Sequence, residues 1–158
     1  MFRAYNCVDT KTNGKIIGHF GSVYFTKIKI CILFLGGKIM DIFCKIINNE
    51  ISSYTIYEDD IVKVFLDINP SHTGHTLIVP KHHYQDLFDI DECTLNHILK
   101  IAREVSILLK KKLNYDGISL CENNGLCQEV KHFHLHLIPK YREEEKISIE
   151  EVYNKLIN

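Results

Sequence analysis

The stretch HFHLHLIPK, residues 132–140, places a histidine at every second position: His132, His134 and His136. An extended chain turns successive side chains to opposite faces. The spacing therefore predicts three imidazoles on one face of a strand, with Phe133, Leu135 and Leu137 on the other. On a helix the same three histidines would scatter. The intervening residues are strand formers and Pro139 closes the run, so the strand reading stands.

Three chemistries compete for such a row. The first is a plain solvent face, although Lys, Glu and Thr are more usual there. The second is a metal site, because alternate imidazoles on a strand can reach one ion; no Asp, Glu or Cys close by is spaced to complete the set. The third is nucleophilic attack on phosphorus. A neutral imidazole is a good nucleophile near pH 7, and its neighbours can stabilise charge and move protons. Read alone, the residues leave all three open.

Outward from the histidines the pattern is that of one α+β domain. Asp41 is placed to cap a short helix, IFCKIIN, whose apolar face is Ile42, Phe43, Ile46 and Ile47 and which Asn48 and Asn49 end. IVKVFLDI (Ile61–Ile68) and HTLIVP predict strands joined by the loop NPSHTGH. Between Glu92 and Leu113, apolar residues recur at helical spacing, and Lys110, Lys111 and Lys112 mass at the C-terminal end where cations suit the dipole. Ile101, Ile107 and Leu108 widen that stripe, which predicts burial on more than one side, by a second copy or by the core of one subunit. GISLCE (Gly117–Glu122) predicts a further strand, and the turn signal NNG follows it. Ser148 and Glu151 form a capping box for a terminal helix.

At 158 residues the chain suits one domain. A net charge of −1 and a pI near 6.7 supply no bulk electrostatic footprint for nucleic acid or an anionic membrane. Six cysteines (Cys7, Cys31, Cys44, Cys93, Cys121, Cys127) form no C-x-x-C pair, which favours reduced thiols and a reducing compartment. Residues 1–38 differ from the rest. Their apolar run, Ile30–Leu35, is too short to span a bilayer, and it starts too far from Met1 for an ordinary secretory signal. A targeting segment, a loosely packed extension and upstream sequence ahead of a true start at Met40 all fit, the last two best. The domain is expected over 39–158.

Four blocks in order carry a resemblance. DIFCKIINNEI (Asp41–Ile51), YEDD (Tyr57–Asp60), FLDINPSHTGHTLIVPKHH (Phe65–His83) and QEVKHFHLHLIPKY (Gln128–Tyr141) resemble successive blocks of the histidine triad (HIT) family of nucleotide hydrolases and transferases. The resemblance implies an α+β fold on a five-stranded antiparallel sheet with a short N-terminal helix, a long helix and a C-terminal helix. It also implies a homodimer acting on a purine nucleotide without a cofactor. It makes His134 the nucleophile, flanked by His132 and His136 and supported by His75. Ile42, Phe43, Ile46, Phe65 and Ile68 match the walls of the nucleoside cleft, and Asp67 matches the carboxylate that binds the ribose. From the residues alone, those apolar positions are simply core. Asn123 and Gln128 fall where relatives contact phosphate and leaving group.

There are departures. Glu129 stands where nucleoside phosphoramidases carry Ser, and Cys127 where Gly is usual. Some relatives bind zinc through a C-x-x-C at the first helix; here Asp41-Ile42-Phe43-Cys44 holds half of it, so no metal is expected. The resemblance thus implies a hydrolase of purine nucleoside phosphoramidates, with dinucleoside polyphosphates as the alternative substrate. A nucleotide-binding interaction protein with incidental catalysis is the rival from another class. A cytoplasmic or nuclear setting without nucleic-acid partners or stable membrane association goes with either.

Overall fold

The computed structural model describes residues 40–158; the expectations for residues 1–38 lie outside the described residues. The elements run α1 (Ile42–Ile47), β1 (Thr55–Glu58), β2 (Val62–Leu66), β3 (Thr76–Pro80), α2 (Glu92–Leu113), β4 (Gly117–Cys121), β5 (Leu135–Lys140) and α3 (Ile149–Ile157). The five strands form one antiparallel sheet in the order β1-β2-β3-β5-β4. No described helix is long and apolar enough to cross a membrane.

Each helix begins where its capping residue dictates. Asp41 accepts from Cys44 N at 2.9 Å, and Asp91 accepts from Thr94 N at 2.9 Å. The Ser148–Glu151 capping box is complete. The long helix covers the expected span, and Asn114, in the left-handed conformation, ends it.

Strand alternation divides the interior in two. Val62, Val64 and Leu66 of β2, Ile78 of β3, and Phe133, Leu135 and Leu137 face α2 and α3. There they pack with Ile98, Ile101, Ala102, Val105 and Leu109, and with Val152 and Leu156. Phe65, Leu77 and Val79 face the other way, against Phe43 and Ile46 of α1. Strands β2 and β3 are therefore buried on both faces, as their largely apolar sequences favour, with Lys63 and Thr76 as buried polar exceptions. The broad stripe on α2 is only partly used, for Leu99 and Ile107 remain exposed.

Two features differ from the sequence expectation. Strand β1 was not anticipated from its residues, four of them with no clear alternation of burial. The histidine strand also begins later than expected, at Leu135. The β3–β5 ladder pairs Ile78 with Leu135, and its continuation would set Phe133 against Pro80, which has no N–H to give. Phe133 N instead donates to Tyr84 O at 2.6 Å, and the His132 ring takes the Pro80 carbonyl. Side-chain alternation survives without the ladder.

Two local devices set up the site. Lys63, on the α1 side of β2 and almost wholly buried, donates Nζ to Ile46 O at 3.1 Å and to Asn49 Oδ1 at 2.6 Å, and pairs with Glu58 at 3.5 Å. Its charge is thus satisfied at the carboxyl end of α1. Ahead of β3, His75 N donates to His72 O at 3.0 Å, closing a turn whose third residue, Gly74, has φ +83°. A Cβ at Gly74 would collide with Leu113 Cδ1. Backbone conformation and close packing both demand glycine there. Gly74→Ala is expected to lower unfolding stability by about 1–3 kcal/mol in urea titrations; an unchanged midpoint would show that the turn and Leu113 relax freely.

Candidate active site

The face of the sheet that carries α1 opens into a cleft of about 980 Å³. Phe43, Ile46, Phe65 and Leu77 form its apolar floor and wall, with the more exposed Ile42 and Ile68 at the edges. Asp67, Asn123 and Glu129 supply polar groups, and His75, His134 and His136 stand at one side. Ser53, Tyr54 and Asn69 also line it, and nothing in their spacing singled them out. Of the sequence-predicted residues, two do not reach the cleft lining. His132 lies fully buried behind His134. Gln128 is also buried, its Nε2 donating to Gln85 O at 2.5 Å.

Hydrogen bonds decide which nitrogen of each ring carries the proton. The His132 carbonyl can only accept, so His134 donates to it from Nδ1 at 2.7 Å. In neutral His134 the lone pair is then on Nε2. Ser71 N donates to His75 Nδ1 at 3.2 Å, which puts the His75 proton on Nε2; that atom lies 2.9 Å from His136 Nδ1 and donates to it. His136 consequently carries its own proton on Nε2, a buried atom without a hydrogen-bond partner among the described residues. Asp67 Oδ2 approaches His75 Nδ1 only to 3.5 Å, while Asp67 Oδ1 accepts from Asn69 N at 2.9 Å. Ser71 was not foreseen, yet it sets the direction of the whole chain of donors.

Electrostatics keep these rings neutral. Burial lowers the pKa of His134, against the His132 carbonyl and the carboxylates of Asp67, Glu129 and Asp41, which favour its charged form. His75 is lowered by burial despite Asp67. His136 is lowered to about 4, by burial first and then by the charges His134 and His75 would carry. Glu129 is exposed at the rim.

A second cluster lies behind His134. Here Asp41, Cys44, His83 and His132 bring one potential ligand atom each to within 4.8 Å of one another. Asp41 Oδ2 is 3.1 Å from His83 Nδ1, 3.2 Å from His132 Nδ1 and 3.3 Å from Cys44 Sγ. Cys44 Sγ lies 3.6 Å from His132 Nδ1 and 3.8 Å from His83 Nδ1. Ligands of a tetrahedral zinc ion, with metal–ligand bonds of about 2.0–2.3 Å, sit roughly 3.3–3.6 Å apart, so the donor set fits zinc. From the sequence the set is hidden, because the second cysteine of the first-helix motif is absent and positions 41, 44, 83 and 132 share no local spacing.

Comparison with known proteins agrees with this architecture. The HIT domain matches residues 48–143. An uncharacterized HIT-like protein of Methanocaldococcus jannaschii is 49% identical over 105 residues, covering 65% of this chain and 80% of its own. Adenosine 5'-monophosphoramidase HNT1 of Saccharomyces cerevisiae is 44% identical over 101 residues, covering 63% and 61%. Among solved structures, a Hit-like protein from Bartonella henselae superposes with a TM-score of 0.68 at 38% identity, covering 74% of this chain and 94% of that one. A Zn-bound histidine triad family protein from Mycobacterium smegmatis gives 0.68 at 30%, covering 73% and 88%. With the family domain spanning well over half of the sequence, and with His134 and His136 presented to an apolar cleft, this chain belongs to the histidine triad (HIT) family.

Proposed function

We propose that the protein hydrolyses purine nucleoside phosphoramidates, or similarly activated nucleoside monophosphates, through a nucleotidyl-histidine intermediate. The observation that carries this reading is the 2.7 Å bond from His134 Nδ1 to the His132 carbonyl, which reserves the Nε2 lone pair for attack. The similarity to a yeast adenosine 5'-monophosphoramidase supports it.

In this mechanism the base lies against Phe43, Ile46 and Phe65, and Asp67 accepts from the ribose hydroxyls. Nε2 of His134 attacks the α-phosphorus. The phosphorus–nitrogen bond breaks with its electron pair on nitrogen, which takes a proton from solvent water and departs as the amine. His136 Nε2–H, otherwise unpartnered, donates to the phosphoryl oxygens as charge builds. Water then attacks phosphorus and gives its proton back to solvent, the bond to His134 breaks with its pair returning to Nε2, and the monophosphate leaves with the ring neutral again. An ion held by Asp41, Cys44, His83 and His132 would supply a brace for the His132 carbonyl; all the bond changes belong to the imidazoles.

His134→Ala is expected to abolish single-turnover release of amine from adenosine phosphoramidate while AMP binding persists, because the apolar cleft and Asp67 are intact. Wild-type turnover in that variant would refute the mechanism, whereas tight binding with negligible turnover in the native protein would favour a binding role. Asp67→Ala should weaken ribonucleotides more than 2′-deoxyribonucleotides, by about 1.5–3 kcal/mol for each charge-assisted hydrogen bond lost. Equal losses for both sugars would remove Asp67 from the ribose site.

The depressed pKa of His136 also fixes a pH response. An unfolded histidine takes up its proton near pH 6.5, whereas the folded one resists until about 4, so stability is full above 6.5 and falls as pH drops through that window. Urea midpoints should decline from pH 6.5 towards 4, and His136→Gln should flatten the decline. A slope identical in the two proteins would show that His136 does not set it.

A further inference from the structure

The turn ahead of β3 is held from outside by the segment that follows β5. Glu144 Oε1 accepts from Thr73 N at 2.7 Å, and Glu144 Oε2 accepts from His72 Nδ1 at 2.9 Å. Thr73 Oγ1 donates to Glu145 O at 3.1 Å, and the Tyr141 hydroxyl donates to Thr73 O at 2.9 Å. Every polar group of Thr73 is therefore taken by residues 141–145. The Thr73 amide first, and the His72 ring second, hold the Glu144 carboxyl below its usual range, so it is ionised and accepts through both oxygens. Nothing in the sequence marks Glu144, the middle member of Glu143-Glu144-Glu145.

This clamp matters because the direction of the donor relay is contested at its first ring. Ser71 N donates to His75 Nδ1 at 3.2 Å and so puts the His75 proton on Nε2. Asp67 Oδ2, 3.5 Å from the same Nδ1, favours the opposite tautomer, because a carboxylate attracts an N–H and repels a lone pair. With Asp67 in control, His75 Nε2 would become an acceptor, and His136 Nδ1, 2.9 Å away, would have to donate to it. Each ring would keep one proton, relocated through solvent, but His136 Nε2 would be bare. It could then no longer donate to a phosphoryl oxygen. Ser71 is exposed, and the two residues that follow it in the turn are the ones that Glu144 binds.

We propose that Glu144 is a positioning residue for the reaction: by clamping His72 and Thr73 it aims the Ser71 N–H at His75, and thereby keeps the donor hydrogen of His136 on Nε2. The clamp and the relay close a ring. Strand β5 carries His136, and the chain that leaves β5 carries Tyr141 and Glu144. These hold the turn, and the turn returns through His75 to His136. Glu144 does not line the cleft, so it acts only through this chain of bonds. The catalytic consequence rests on the reading of the cleft as a phosphoramidate hydrolase; the control of the tautomers does not.

Nitrogen-15 NMR of the imidazoles in the full chain without ligand reads the tautomers directly. Wild type should carry its protons on Nε2 of His75 and of His136. In Glu144→Ala both should move towards Nδ1, whereas Glu144→Gln, which keeps an oxygen for Thr73 N, should hold them on Nε2. Asp67→Asn added to Glu144→Ala should return them to Nε2, because an amide can donate to Nδ1 and a carboxylate cannot. Glu144→Asp, too short to keep both bonds, should shift them part of the way, and it replaces the alanine variant if circular dichroism shows that one unfolded. With adenosine phosphoramidate, Glu144→Ala should lower kcat by about tenfold or more, towards the roughly 10²–10³ that loss of one oxyanion donor costs, with KM changed by less than about twofold. Nδ1 protons in wild type, or unchanged tautomers in the folded Glu144→Ala or Glu144→Asp protein, would overturn the proposal whatever the activity. Reversed tautomers with kcat intact would overturn the catalytic role of the clamp. Absence of turnover in wild type would refute the hydrolase reading instead, with the tautomers still deciding what Glu144 does.

Discussion

Phe133, Leu135 and Leu137 are driven into the core against α2, and the placement of the histidine face follows from that burial. Each contributes about 1.5–3 kcal/mol by leaving water, far more than any preference of a histidine for one side. Because side chains alternate along an extended chain, the imidazoles are carried to the opposite face whatever their own solvation would favour. A slip of one residue would carry the apolar set to the α1 side and push three polar rings against α2 in its place. The long helix, remote from the chemistry, is thus what aims His134 and His136 into the cleft.

Under the proposed function, the same logic bears on how a nearly neutral protein would receive a phosphate. The imidazoles are desolvated enough to stay uncharged, so attraction comes from directed N–H groups rather than from net charge. The direction runs through Ser71, His75 and His136 as a relay of donors, each ring's tautomer set by the one before. Reversing the first bond would reverse them all. The tight turn at Gly74 therefore matters to chemistry as well as to packing, since it delivers His75 beside Ser71 N–H.

Much of this was legible in the sequence because it is written in periodicity. The span of α2, the caps of α1 and α3 and the one-sided placement of the histidines are local patterns, and the structure keeps them; the Asp91 cap of α2 was not singled out. Strand β1 carries no such pattern; Thr55–Glu58 is a strand because β2 offers it an edge. The late start of β5 depends on Pro80, over fifty residues away. Gln128 sits in the block that matched relatives, but its side chain is claimed by the Gln85 carbonyl. The Asp41–Cys44–His83–His132 cluster was illegible for the same reason: its members meet only after α1, β3 and β5 have packed.

Helix α1 has only six residues, too few to persist unaided. It is gripped at its start by the Asp41 cluster and at its finish by Lys63, which holds Ile46 O and Asn49. A wall fastened at both ends cannot swing like a door. The width of the cleft is accordingly set by how α1 is anchored, and under the proposed function selectivity for the base would fall to the shapes of Phe43 and Ile46 rather than to movement of the backbone that carries them.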